Sequence, residues 1–299
     1  MCKLYQDWPS RYFCWVIGCW IVGLVFASAR LGYSSFQADS ANLQSLVRQV
    51  VDNELQARAK EPICWRYFAQ VQTEDPSRTD IIIETRKGTL KRLLAQNGRP
   101  LAQKQRQQED ERIEELIRNP RDLEDEAHKE KDDLQKTWNL FKFLPDALLF
   151  TRESSDGQII RLSFRPNPNF NPPTLESRIF RVLQGSILVD GGQKRLIELR
   201  AVMSRDLEFV WGIFGRLRKG GSLDLRQEQI EPGLWVMTSL QVQVTGRAWF
   251  FKTIGRQIQE LRWGFQRVPD TMSLEEAAAM AKREAQDAKP EKPASYNPI

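Results

Sequence analysis

Leu234-Trp235-Val236-Met237-Thr238-Ser239-Leu240-Gln241-Val242-Gln243-Val244-Thr245 alternates strictly in phase. Leu234, Val236, Thr238, Leu240, Val242 and Val244 fall on one side, and Trp235, Met237, Ser239, Gln241, Gln243 and Thr245 on the other. A period of two is one face of a β-strand, because successive side chains point to opposite sides of a sheet. Working outward through Ile179–Phe265, the same reading gives Ile187–Asp190, Arg195–Met203, Leu207–Ile213, Leu223–Ile230, Arg247–Ile254 and Gln257–Gln266. No helix of useful length separates these pieces. Their connections must be hairpins, and the sheet antiparallel.

Upstream, Cys64–Glu74 alternates again, with Trp65, Tyr67, Ala69 and Val71 opposed to Arg66, Gln70 and Gln72. Thr79–Thr85 and Thr89–Gln96 follow as a pair turned at Arg86-Lys87-Gly88, and Asn97-Gly98 is a strong turn signal. Ala147–Arg152 and Gln158–Arg165 turn at Ser155-Asp156-Gly157. Arg165-Pro166-Asn167-Pro168-Asn169-Phe170-Asn171-Pro172-Pro173 is a rigid loop, because its prolines fix φ and remove donors, and Phe170 is expected to pin it to the body. Thr174–Leu183 reads as a short helix capped by Thr174, with Ser177 as the second cap candidate.

Residues 40–59 read as an amphipathic helix, with Leu43, Leu46, Val47, Val50, Val51 and Leu55 near the helical period and Ser40 or Asp39 as cap. It either covers the sheet or acts as a lid over a cavity. Gln103 to Lys136 is mostly charged, has few apolar residues, and is divided by Asn119-Pro120. It is expected to be a solvent-exposed helical hairpin. Ser273-Leu274-Glu275-Glu276 is a capping box opening an Ala-rich helix to about Ala288, and the chain from Pro290 reads as a disordered tail.

Tyr12 to Ala29 carries no charge for 18 residues and follows Arg11. Ala27-Ser28-Ala29 fits a signal-peptidase site, and an uncleaved membrane anchor is the competing reading. Val16-Ile17-Gly18-Cys19 resembles a lipobox, but a further apolar stretch, Trp20–Ala27, follows that cysteine. Both main readings place the soluble part outside the cytoplasm: periplasmic, or anchored with its domain exported. Lys3 and Arg11 on the short N-terminal side agree. The organisation expected is therefore residues 1–29 as signal peptide or anchor, 30–267 as a curved β-sheet domain with a helical insertion at 103–143, and 268–299 as C-terminal helix and tail.

The net charge of +5 is a mild excess, so no nucleic-acid footprint is read, although a pI near 9 suits contact with an anionic membrane surface. Cysteines are Cys2, Cys14, Cys19 and Cys64, with no CxxC, and His128 is the single histidine. No metal-ligand spacing, nucleophile elbow or dinucleotide loop occurs, so no cofactor and no enzyme activity are expected. Carboxylate-only hydrolysis by Glu198, Asp206 and Glu208 is the remaining catalytic option.

An exported leader, an amphipathic first helix and roughly ten consecutive antiparallel strands resemble the lipoprotein-carrier superfamily typified by LolA and LolB. The residues that carry this are the helix Leu43–Leu55, Gly185-Ser186-Ile187-Leu188-Val189-Asp190, Leu196-Ile197-Glu198-Leu199, Lys219-Gly220-Gly221-Ser222 and Gly233-Leu234-Trp235-Val236. Asn97-Gly98-Arg99-Pro100-Leu101 and Arg165-Pro166-Asn167-Pro168-Asn169-Phe170 also resemble a group of uncharacterised exported bacterial proteins. The first resemblance implies a mainly β (α+β) fold: a strongly curved antiparallel sheet, or half-open β-barrel, with an N-terminal lid helix. It implies that the concave face holds acyl chains of a lipid or lipidated partner, since apolar burial gains ~0.8 kcal/mol per CH₂. Suitable wall residues are Trp65, Tyr67, Phe164, Trp211, Trp235, Trp249, Phe251, Trp263 and Phe265, and the other reading of each is that it simply packs the core. The alternative function is a structural module of the envelope that docks a protein partner through the charged hairpin.

Overall fold

The structure is a computed structural model describing residues 41–57, 63–73, 77–119, 121–209, 215–248 and 252–287. The leader, the tail beyond Asp287, and Trp211, Trp249 and Phe251 of the expected wall lie outside these residues.

One helix, α1 (41–57), precedes a sheet built from β1 (Trp65–Gln72), β2 (Arg78–Thr85), β3 (Gly88–Gln96), β4 (Arg99–Pro100), β5 (Leu148–Asp156), β6 (Ile159–Pro166), β7 (Leu183–Asp190), β8 (Arg195–Met203), β9 (Leu207–Phe209), β10 (Gly215–Leu217), β11 (Ser222–Glu231), β12 (Leu234–Ala248) and β13 (Lys252–Arg267). Helices α2 (Gln103–Arg118), α3 (Arg121–Phe141) and α4 (Leu144–Ala147) lie between β4 and β5, and α5 (Leu274–Asp287) closes the described chain. The spatial order is β4-β3-β2-β1-β13-β12-β11-β8-β7-β6-β5, with β9 and β10 set beside β12. Every described pairing is antiparallel. The result is the expected single curved, unclosed sheet with a helix at its N-terminal end.

The curvature is also implied by α3. Its Leu123 packs against Gly88 at the start of β3, and its Leu140 and Phe141 pack into the core that α4 leads into β5. That is about 27 Å of helix. A flat sheet would place β3 and β5 about 43 Å apart, nine strand spacings. The sheet must bend for a helix of this length to connect its two edges.

Opposed residues of antiparallel neighbours share a face, so the register assigns every strand position to one of two sides. Leu162, Ile187, Leu199, Leu225 and Leu240 form one cross-strand row; Phe164, Gly185, Ala201, Leu223, Val242 and Ile258 form the next. Over β5–β8 this side is roofed by α1. Leu43, Val47, Val50 and Val51 bury against Phe150, Leu162, Phe164, Ile187, Val189 and Leu196. The helical period of the α1 segment produces that contact directly. Gly185 has a steric reason to be glycine, since a Cβ there would collide with the Arg200 carbonyl oxygen.

The other side is apolar only at the β1–β3 end, where Ile81, Ile83 and Leu90 pack under Ile113 of α2 and Ala277 and Ala281 of α5. The capping box that opens α5 forms as read: Ser273 N–H donates to Glu276 (2.8 Å), and Glu276 N–H to the Ser273 hydroxyl (3.1 Å). Across the middle this side is polar. Ser186, Arg200, Asp224, Gln241 and Gln259 make one row, and Glu198, Arg226 and Ser239 its neighbour. Buried Glu198 lies within ion-pair distance of Arg161 (3.8 Å), Arg200 (2.9 Å) and Arg226 (2.8 Å). An antiparallel sheet with one wet face and one apolar face has this pattern.

Three expectations need correction. Arg247–Ile254 is not a strand of its own: Arg247 and Ala248 end β12, and Lys252 to Ile254 begin β13. The Thr174–Leu183 helix is a 3-10 turn at Glu176–Arg181 whose N-cap position is Leu175, and Thr174, one residue earlier, accepts from Ser177 N–H (3.2 Å). The charged insertion is not a solvent hairpin throughout, because α2 is bound to the sheet. Glu109 accepts from Leu93 N–H (2.8 Å), and Arg112 donates to the Lys91 carbonyl (2.6 Å). These are outward-facing backbone groups of β3, whose neighbour β4 is too short to pair them.

Candidate functional site

The α1 side of the sheet is sealed at both ends and half-open between them. At one end lies the α1 core. At the other, Trp65 (9 % exposed), Tyr67 (6 %), Ala69 and Ile82 close on one another with Phe265, Leu234 and Val236. Tyr67 stacks on Phe265 (ring centroids 4.9 Å), and Trp65 meets it edge-on (6.2 Å). Between the two clusters run Leu223 and Leu225 of β11, Leu240, Val242 and Val244 of β12, and Ile258 of β13, all half-buried. Leu223 and Leu225 touch the edge of the α1 core, whereas the other four belong to no buried cluster of the described residues. From Leu240 to Val244 the stripe extends about 13 Å along the strand.

This differs from an aromatic wall and follows the other reading of these residues, core packing, for Trp65, Tyr67 and Phe164. Trp65 and Tyr67 are brought together, but they pack into a closed cluster. Phe164 is 5 % exposed and sealed beneath α1 beside Phe150. Trp235 lies outside the Trp65 cluster, donating its indole N–H to the Gln193 side chain (3.2 Å) with the Arg195 guanidinium 5.8 Å from its ring centre. Trp263 is on the opposite side of the sheet, against Phe68 (5.8 Å). The cause is a bulge. The register steps from Arg66↔Gln266 to Phe68↔Trp263, with Gly264 at φ +67°, so an extra residue in β13 separates Trp263 from Phe265. The accessible lining is therefore aliphatic. The β12 alternation already carried half of it; Leu223, Leu225 and Ile258 become legible only with the strand register.

A charged pair stands beside the stripe. Arg262 lies opposite Ala69, and Glu260 opposite both Val71 and Leu240. Arg262 Nε donates to Glu260 at 2.6 Å, and its guanidinium lies 5.4 Å from the Tyr67 ring centre. Their side chains are 27 % and 18 % exposed. Burial pulls the Arg262 pKa down, but Tyr67, Glu260 and Glu84 together outweigh burial and raise it, so the group stays cationic.

The carboxylates considered for hydrolysis are held by arginines. Glu198 has its three guanidiniums. Asp206 accepts from Arg216 (2.9 and 2.5 Å) and from Lys219 N–H (2.6 Å); the Lys219 bond first, then Arg216, holds its pKa below the usual carboxylate range. Glu208 is 3.8 Å from the same Arg216. Cys64 is buried, and burial pushes its thiol pKa up. Among the described residues no group of three or more His, Cys, Asp or Glu could hold a metal ion, and no helix is long and apolar enough to cross a membrane.

No protein-family model, curated protein or solved structure matches the chain.

Proposed function

We propose that the protein is a non-catalytic, exported envelope protein that binds a lipid or the acyl chains of a lipidated partner on the α1 side of its curved sheet, with α1 as the lid. The observation that carries this reading is the half-open stripe Leu223, Leu225, Leu240, Val242, Val244 and Ile258, which faces away from the polar side of the same strands. Aliphatic surface left between two packed clusters is favourable to cover, and a single acyl chain has the shape and chemistry to cover it.

Val242→Asp tests the reading. Val242 is half-buried outside the packed clusters, so a carboxylate there can remain hydrated in the empty protein. Under a bound acyl chain it would be desolvated without a partner, and affinity for an apolar fluorophore is expected to fall about tenfold or more. Melting temperature and far-UV circular dichroism should stay close to the parent. Unchanged fluorophore affinity in Val242→Asp would reject the stripe as the binding surface. Gentle purification of the full chain should also carry lipid detectable by native mass spectrometry.

A docking module is the second reading, and its support is α3. Among its described side chains the charged residues are exposed, and its Leu134 is 44 % exposed. It is favoured if the chain retains no amphiphile and cross-links to a protein partner map to α3.

A further inference from the structure

Arg262 and the aliphatic stripe share one side of the sheet, and their geometry defines two parts of one ligand. The guanidinium uses Nε on Glu260 and leans on the Tyr67 ring. Among the described residues, neither of its terminal Nη atoms has a hydrogen-bond partner, and the side chain is 27 % exposed. The two neighbouring carboxylates are engaged: Glu260 on Arg262 Nε, and Glu84 on Trp65 N–H at 3.2 Å. A planar fork that is fixed by an aromatic face and one side-on partner, yet open along its outer edge, suits bidentate capture of an oxyanion. Moving from Arg262 along β13, the same side continues through Glu260 to Ile258; Leu240 and Val242 stand beside the last two on β12.

We propose that the ligand is a single-tailed anionic amphiphile, its carboxylate or phosphate head on the Nη edge of Arg262 and its tail along Leu240, Val242, Leu223 and Leu225. This rests on the lipid-binding reading above and assigns its head-group site. Arg262 acts there as a direct ligand contact, and the Tyr67 ring and Glu260 hold its plane. A neutral amphiphile with the same tail should bind by the stripe alone.

The test uses the full-length chain at pH 8, with a long-chain fatty acid and the fatty alcohol of the same tail competing against an apolar fluorophore. The parent is expected to prefer the acid by about tenfold, the scale of one charge-assisted hydrogen-bond pair. In Arg262→Gln the acid-to-alcohol ratio should fall to about one, with alcohol affinity little changed. In Arg262→Lys, which keeps the charge without the fork, part of the preference should remain. The ratio is internal to each variant, so modest destabilisation does not disturb it, and Arg262→Lys serves if Arg262→Gln does not fold. An acid preference that persists in Arg262→Gln, or a parent without one, overturns the head-group site while leaving the stripe as a tail site. Failure of both amphiphiles to displace the fluorophore overturns both readings. Inorganic phosphate supplies the tail-free arm: displacement by phosphate as effective as by the acid assigns a free-anion site and overturns the amphiphile.

Discussion

Glu54→Ala is expected to destabilise the protein by about 3–5 kcal/mol, the range found when one partner of a buried ion pair is removed. Glu54 is 4 % exposed near the C-terminal end of α1. Its carboxylate accepts from Arg195 Nε (2.8 Å), Arg195 Nη2 (3.1 Å) and Leu196 N–H (3.0 Å), where β8 begins. Truncation leaves the Arg195 guanidinium, 11 % exposed, without its counter-charge and a buried amide without an acceptor. Glu54→Gln keeps an acceptor for Leu196 and should lose less. The double variant Glu54→Leu, Arg195→Met should regain much of the loss, because a buried pair replaced together leaves no unpaired charge. Urea midpoints for the four proteins check this, and a Glu54→Ala loss below about 1 kcal/mol would mean that α1 is not fastened by this carboxylate.

The same variant connects stability to the proposed ligand. The aliphatic contacts of α1 set how it lies on the sheet, while Glu54 fixes where along β8 it stops. Loosening that end uncovers more of the β8–β11 boundary, where Leu199, Leu223 and Leu225 pack against the α1 core. Faster exchange of bound fluorophore should then accompany the lower urea midpoint.

Period-two alternation was enough to read the sheet and most of its hairpins, because alternation is a local consequence of strand geometry. The β12 alternation runs inside a described strand from Leu234 to Ala248. Pairing between β1 and β13 had no comparable signal. Trp65–Gln72 sits beside Gln259–Arg267 across almost 200 residues of chain, and nothing in either segment's period names its partner. That pairing decides the candidate site, since it brings Arg262 onto the Tyr67 side. The bulge at Gly264 shifted the phase once more, and a list of aromatic residues in apparent register could not register it. Aromatic rings carry the largest apolar surface of the side chains. Their size is why they pack into closed clusters here, leaving smaller aliphatic groups at the opening.

Charge density misled in the insertion for a different reason. A helix rich in Glu and Arg normally solvates its charges, but the edge of β3 offers unpaired backbone donors and acceptors that charged side chains can satisfy. Arg92 of β3 pairs with Asp110 of α2, which also lies 3.3 Å from Lys282 of α5. Two helices and a strand edge are thereby joined through residues that read as surface. In α3, by contrast, the polar residues whose side chains are described stay exposed, and their apolar neighbours pack at its ends.

Glu109→Ala is accordingly expected to act twice. Glu109 is 8 % exposed; it accepts from Leu93 N–H (2.8 Å) and from Arg112 Nε (2.9 Å) and Nη2 (2.7 Å). Removing it orphans an edge amide and releases Arg112 from its place over the Lys91 carbonyl, a loss of about 2–4 kcal/mol. It also bares a strand edge, which is a template for pairing with another chain. Size-exclusion chromatography over a concentration series should show self-association of Glu109→Ala while the parent's elution stays unchanged. Glu109→Gln, which keeps an acceptor for Leu93, should remain closer to the parent in both readouts. Ile113→Ala, a cavity variant one turn along the same helix at a site 3 % exposed, should lose a similar 2–4 kcal/mol. Because Glu109 and Arg112 still cover β3 in that variant, it should associate less than Glu109→Ala at equal stability; equal association would show that loss of stability, and not the uncovered edge, drives the process.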